Sequence, residues 1–220
     1  MKAALPALAL WLTAPTVAFA EGTPAAAPTT VEGLTKALGE RYKDVKSLIA
    51  NVTQVSVSAM GETTMKGRML VERPGKARWE LAGSGYETLM VFDGAAGWLY
   101  TPASNQVIKL DQTGADALDP IALVGTLDER FDTSLVADAP ADRFVVEGAP
   151  KAGTKLAGQY KLIRLEVTRA DYLPVRLVLT DNFGGSTQIT FDEPAFNASI
   201  PASSFVFEPP AGVDVVDGSL

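Results

Sequence analysis

The sequence predicts a mainly β protein with helices, an α+β fold built on one curved antiparallel sheet. Three observations carry this. Period-2 alternation of apolar and polar residues recurs in segment after segment; turn dipeptides punctuate the segments; and only two stretches, near the start and the middle, carry helical signals. Segments that follow one another in sequence are expected to pair, which makes the sheet antiparallel.

The first 20 residues of the 220 read as a secretory signal, with Lys2, an apolar run over 8–12 and the cleavage site Ala18-Phe19-Ala20. Pro6 and Pro15 interrupt that run, which is shorter than the ~20 residues of a membrane span, so cleavage after Ala20 is expected. No cysteine follows it to carry a lipid anchor. Residues 21–28, rich in Ala, Pro and Thr, read as a flexible leader, and 29–220 as one domain.

Thr29 with Glu32 fits a capping box. Val31, Leu34, Leu38, Tyr42, Val45 and Leu48 then recur at helical spacing and predict an amphipathic helix packed on a sheet. Strands are expected over 50–59, over 67–81 as a hairpin, over 86–92 and 97–101 around Asp93-Gly94, and over 105–110. Asp119-Pro120 signals a helix start, an N-cap carboxylate followed by proline in the first turn. Leu118, Ile121, Leu123, Val124 and Leu127 make the short helix that follows almost wholly apolar. It is expected either to plug one end of a barrel as core or to lie as a lid over an apolar cavity. Strands resume over 143–147, 160–169, 172–180 and 186–192. Ile163, Leu165 and Val167, and Leu173, Val175, Leu177 and Leu179, mark a dry face, while Arg164, Glu166, Thr168, Arg176 and Thr180 mark a wet one. Residues 205–207, ahead of Pro209-Pro210, read as a last short strand.

Composition excludes several functions. Without Lys2, 18 basic residues face 26 acidic ones, a balance unsuited to nucleic acid or to an anionic membrane. The chain has no histidine and no cysteine, so Ser–His and Cys–His nucleophiles and thiolate metal sites cannot be built from it. Gly83-Ser84-Gly85 lies between β segments and opens no helix, so it is not a phosphate loop. The adjacent carboxylates Asp128-Glu129 and Asp192-Glu193 point apart. A carboxylate pair assembled across strands would leave no sequence trace and stays an alternative, but no enzyme activity, metal or cofactor is expected.

The organising stretch is 67–80, GRMLVERPGKARWE. A strand carrying Met69 and Val71 meets the turn Arg73-Pro74-Gly75-Lys76, and a second strand returns through Ala77 and Trp79. Together with Val91-Phe92-Asp93-Gly94, Trp98-Leu99-Tyr100, Pro102 and 205–213, FVFEPPAGV, this stretch resembles the LolA family of periplasmic lipoprotein carriers. The resemblance implies an open, incomplete β-barrel covered by a helical lid. It also implies a carrier that takes acylated lipoproteins from an inner-membrane ABC transporter and passes them to an outer-membrane receptor. The family's gate maps onto Arg73, which is then expected to donate to lid backbone carbonyls. Met69, Val71, Trp79 and Met90, with Leu123, Val124 and Leu127 from the lid, are the expected cavity wall. Ala77 departs from the family, where an aromatic is common, and both the leader and residues 150–158 lack a clear counterpart. A periplasmic monomer is expected. Carriage of another lipid or apolar metabolite, and a lipid-sensing role, remain open alternatives.

Overall fold

The structure is a computed structural model and describes residues 27–112, 115 and 119–218. The predicted signal, most of the leader and Leu118 lie outside the described residues. Helix α1 (Val31–Tyr42) precedes strands β1 (Ser47–Ser58), β2 (Gly61–Glu72), β3 (Lys76–Gly83), β4 (Tyr86–Asp93), β5 (Gly97–Thr101) and β6 (Gln106–Leu110). Two short helices, α2 (Pro120–Gly125) and α3 (Leu127–Arg130), lead into β7 (Phe131–Leu135) and β8 (Arg143–Pro150). Strands β9 (Tyr160–Thr168), β10 (Pro174–Asp181), β11 (Ser186–Phe196) and β12 (Asp214–Asp217) complete the order.

The twelve strands among the described residues form one sheet in the order β12-β6-β5-β4-β3-β2-β1-β11-β10-β9-β8-β7. The two edge strands do not pair with each other, so the sheet stays open. Side chains from β1–β4 and from β8–β11 nevertheless share one core with α1, α2 and α3, which requires the sheet to curve around its helices. On the opposite face of β8–β10, register pairs set Arg164 against Glu147, and Glu166 lies between Arg143 at 3.0 Å and Arg176 at 3.4 Å. The dry and wet faces read from the sequence are therefore present.

The structure differs from expectation at several points. Thr30, rather than Thr29, caps α1, its hydroxyl accepting from Gly33 N at 3.0 Å. The helix ends at Tyr42, whereas the apolar stripe runs on through Val45 and Leu48. Both residues are buried, but the backbone between them is already committed elsewhere. Lys46 N donates to Asn197 Oδ1 and Lys46 O accepts from Arg73 N, each at 2.8 Å, and Ser47 pairs with Glu72. The stripe continues in phase because helix and strand pack on the same core.

Strand β2 begins at Gly61, six residues before its apolar alternation, since 61–66 pair fully with β1 while facing solvent on much of their surface. Strand β7 has no counterpart in the sequence pattern: five residues carrying Asp132, Thr133 and Ser134 give little apolar alternation around buried Phe131. Residues 205–207 are not a strand. A 3-10 turn over Ala202–Phe205 seats Phe205 on the outer face of the sheet, Arg78 Nη1 donates to Ser204 O at 3.2 Å, and Phe207 lies 6.0 Å from the rings of both Trp98 and Tyr100. Pro209 and Pro210 have no N–H to offer a ladder. The chain rejoins the sheet only at β12, which runs parallel to β6, the one parallel pairing among the described strands.

Candidate functional site

The hairpin β2–β3 turns through Arg73-Pro74-Gly75, with a cis bond between Arg73 and Pro74 and Gly75 at φ +77°. That positive φ suits glycine, in keeping with the turn read from the sequence. The turn places the Arg73 guanidinium at the entrance to α2. There its Nε donates to Asp119 Oδ2 at 2.5 Å and its Nη2 to Asp119 Oδ1 at 2.8 Å. Its Nη1 reaches Val45 O at 3.4 Å, at the α1–β1 connection. This is the two-point fork that guanidinium makes with carboxylate.

The Asp119 carboxylate is engaged on both sides. Its Oδ1 also accepts from Ile121 N at 2.9 Å and Ala122 N at 3.2 Å, capping α2. Only 5% of the Asp119 side chain is exposed, against 24% for Arg73. Burial of this carboxylate is offset by four donors, three of them at 2.9 Å or less. The expected N-cap is thus present. Among the described residues, the contact between Arg73 and the lid runs through a side-chain carboxylate rather than backbone carbonyls. The sequence marks Asp119 only as a cap, because nothing local ties it to an arginine 46 positions earlier.

The expected wall residues come together. Register aligns Ala50, Met69, Trp79, Met90 and Leu99 across β1–β5 in one row, and Leu48, Val71, Ala77, Phe92 and Gly97 in the next. Met69, Val71 and Trp79 are buried in one cluster with Leu123, Val124 and Leu127 from α2 and α3, and Met90 packs against it half-buried. Trp79 meets Phe191 edge-to-face at 6.1 Å, a contact with no sequence signal because β3 and β11 are far apart in the chain. Leu127 and Val124 are each 1% exposed, so the lid is seated on the sheet. Leu34 and Leu38 of α1 complete this interior; the sequence assigns them to helix packing alone.

A cleft of about 540 Å³ opens along the seam between α1 and α2, lined by Leu38, Tyr42, Val45, Arg73, Pro74 and Ile121 among others. Tyr42 borders it with its hydroxyl donating to Asp171 O at 2.9 Å. Burial, with the nearby Asp171 charge, pushes the Tyr42 phenol well above its ordinary range, so it stays neutral. Among the described residues, no cluster of acidic, histidine or cysteine side chains is arranged to hold a metal, and no helix is long and apolar enough to cross a membrane.

A family model described as outer membrane lipoprotein carrier protein LolA matches residues 43–208. The outer-membrane lipoprotein carrier protein of Dechloromonas aromatica (strain RCB) is 31% identical over 189 residues, covering 84% of this chain and 88% of its own. That of Chromobacterium violaceum is 32% identical over 173 residues, covering 79% and 82%. An uncharacterized conserved protein from Thermus thermophilus shares the fold, with a TM-score of 0.55 at 14% identity over 84% of this chain and 98% of that one.

Proposed function

The chain belongs to the LolA family of outer-membrane lipoprotein carriers, and on that premise we propose that it shields the acyl chains of lipoproteins while they cross the periplasm. The observation that carries this reading is the Arg73–Asp119 clasp, which holds an apolar lid over an apolar concave wall. Loading lifts α2 and α3 and exchanges their side chains for acyl chain against Met69, Val71, Trp79 and Met90. The inner-membrane transporter delivers the cargo and an outer-membrane receptor accepts it. The protein acts by binding and release, with no covalent step.

Magnitudes support an exchange mechanism. A chain of about fifteen methylenes gains ~12 kcal/mol on leaving water, at ~0.8 kcal/mol each. Re-exposing Leu123, Val124 and Leu127 costs roughly 1.5–3 kcal/mol apiece. The lid therefore offsets a large share of one chain's transfer energy, and the protein shields that chain without holding it irreversibly. Arg73 biases the lid toward closure and so favours release.

The test is mass spectrometry of what co-purifies with the protein and with its Arg73→Leu variant from the periplasm of an expressing host. Acylated lipoprotein is expected with both, and in greater amount with Arg73→Leu, which loads but releases poorly. Free lipid without lipoprotein would move the assignment to a carrier of other apolar molecules. An empty variant that has merely lost stability would reduce Arg73 to a turn residue.

A further inference from the structure

Seven large apolar side chains are prominently exposed among the described residues. Three of them, Val206, Val215 and Val216, follow the C-terminal segment. The other four, Val57, Met60, Tyr86 and Phe183, gather at one end of the sheet. The β1–β2 turn carries Met60 at 98% exposure, the β10–β11 turn carries Phe183 at 95%, and β4 opens on Tyr86 at 56% as it leaves the β3–β4 turn. In the order β4-β3-β2-β1-β11-β10 these are three neighbouring hairpins, two strands or about 10 Å apart across the sheet. The β3–β4 tip is set back along the strands, because Ser84 is tied to Thr64 rather than to Gly61 at the end of the β1–β2 ladder. All three point away from the end that holds the Arg73–Asp119 clasp, which lies at the opposite end of β2 from Gly61.

Each turn is pinned by a side chain. The Asp181 carboxylate accepts from Phe183 N at 2.7 Å and Gly185 N at 2.8 Å, and Ser58 Oγ accepts from Met60 N at 3.2 Å. Ser84 Oγ accepts from Thr64 N and donates to Thr64 O, both at 3.1 Å, tying the β3–β4 turn to β2. The apolar residues are thus presented on braced turns. Around them stand hydroxyls (Ser58, Thr63, Ser84, Ser186) and charges of both signs, Glu62, Glu87 and the turn's own Asp181 against Lys66 and Lys161. One negative charge is left in excess among these groups, in keeping with a chain whose net charge is −7.

We propose that these three hairpin tips dock the protein on a zwitterionic lipid bilayer, with Met60, Tyr86 and Phe183 entering the interfacial region. Separate apolar points on a polar collar of mixed charge suit a fluid interface, which moulds around each tip. A protein partner would demand a continuous complementary patch. The amphipathic ring of a tyrosine settles at the boundary between headgroup and hydrocarbon, and Phe and Met add apolar area to such an interfacial face. The slight excess of negative charge at these tips, and the net negative charge of the chain, disfavour anionic lipid. This inference stands apart from the cargo reading, since docking is measured without cargo.

The experiment is flotation of the full chain, as an expressing host processes it, with phosphatidylcholine vesicles. It is compared with the variant Met60→Ser/Tyr86→Ser/Phe183→Ser, whose changes are confined to exposed positions. Binding to the neutral vesicles that falls at least tenfold in the variant, while its far-UV spectrum and melting curve are unchanged, is the expected result. The chain has no cysteine, so an environment-sensitive dye on Ala59→Cys, beside Met60, reports orientation. Its emission is expected to shift blue on vesicles, whereas the same dye on Ala95→Cys, in the β4–β5 turn at the other end, stays unchanged. Equal binding by the triple variant, binding confined to anionic vesicles, or a shift at Ala95→Cys alone would overturn the proposal.

Discussion

Asp119 closes two contacts with one carboxylate: it caps the first turn of the lid helix and accepts both forked bonds of Arg73. The hairpin turn and the lid are coupled through that group, so whatever loosens the ion pair also weakens the start of α2. Loss of the cap and loss of the clasp would therefore reinforce each other.

A double-mutant cycle measures the coupling. Arg73→Leu and Asp119→Asn, singly and together, are compared by urea unfolding. A coupling energy of about 1–3 kcal/mol is expected, below the 3–5 kcal/mol of breaking a fully buried pair, because a quarter of the Arg73 side chain remains exposed. Additive effects within experimental error would mean that the two groups sit together without holding each other.

The two roles of Asp119 are separable. Asp119→Ser keeps an oxygen able to cap Ile121 N or Ala122 N but removes the charge that Arg73 grips; Asp119→Ala removes both. The alanine variant should be less stable than the serine variant by about 1 kcal/mol, the usual worth of an N-cap, and both should lie below the parent. Serine matching the parent would show that the clasp contributes nothing to stability.

Asp93 sets a pH dependence of its own. Burial works against its charge, but Ala96 N and Ala95 N donate to the carboxylate and outweigh it, holding its pKa below the ordinary value. A group with a depressed folded pKa contributes stability above its unfolded pKa of ~3.9 and loses it as pH falls through the folded value. Asp93→Asn should therefore be less stable than the parent at pH 7, with the gap narrowing toward pH 3. Urea midpoints at the two pH values test this, and a constant gap would contradict it.

The strands are legible in the sequence where one face meets the core and the other meets water. Ile163-Leu165-Val167 and Met69-Val71 alternate because the sheet has only one dry side there. The pattern fails where burial and pairing part company. Residues 61–66 are fully paired yet largely wet, and Phe205 is fully buried yet unpaired. Leu48 keeps the phase of a helix it does not belong to, because helix and strand bury into one interior. Each wall residue can be named from its own strand. The clasp cannot, because an N-cap and an Arg-Pro turn are each complete as local motifs, and only the curving of the sheet around its helices brings them together.

Gly97 offers a test of how tightly the inner face is filled. A Cβ at this position would lie 2.4 Å from Cε1 of Phe92 and 2.9 Å from Cβ of Leu110, and Phe92, opposite it in register, is almost fully buried. The ring cannot swing toward solvent, so Gly97→Ala should destabilise by about 1–3 kcal/mol through overpacking. Phe92→Leu alone should also destabilise, since it removes buried ring volume. In the Gly97→Ala background the same change should recover stability, because the smaller side chain vacates the space that the new methyl needs. That reversal of sign, read from thermal or urea midpoints of the four proteins, distinguishes a steric clash from an effect on backbone freedom. If Phe92→Leu is equally harmful in both backgrounds, Gly97 is required for its backbone and not for the room it leaves.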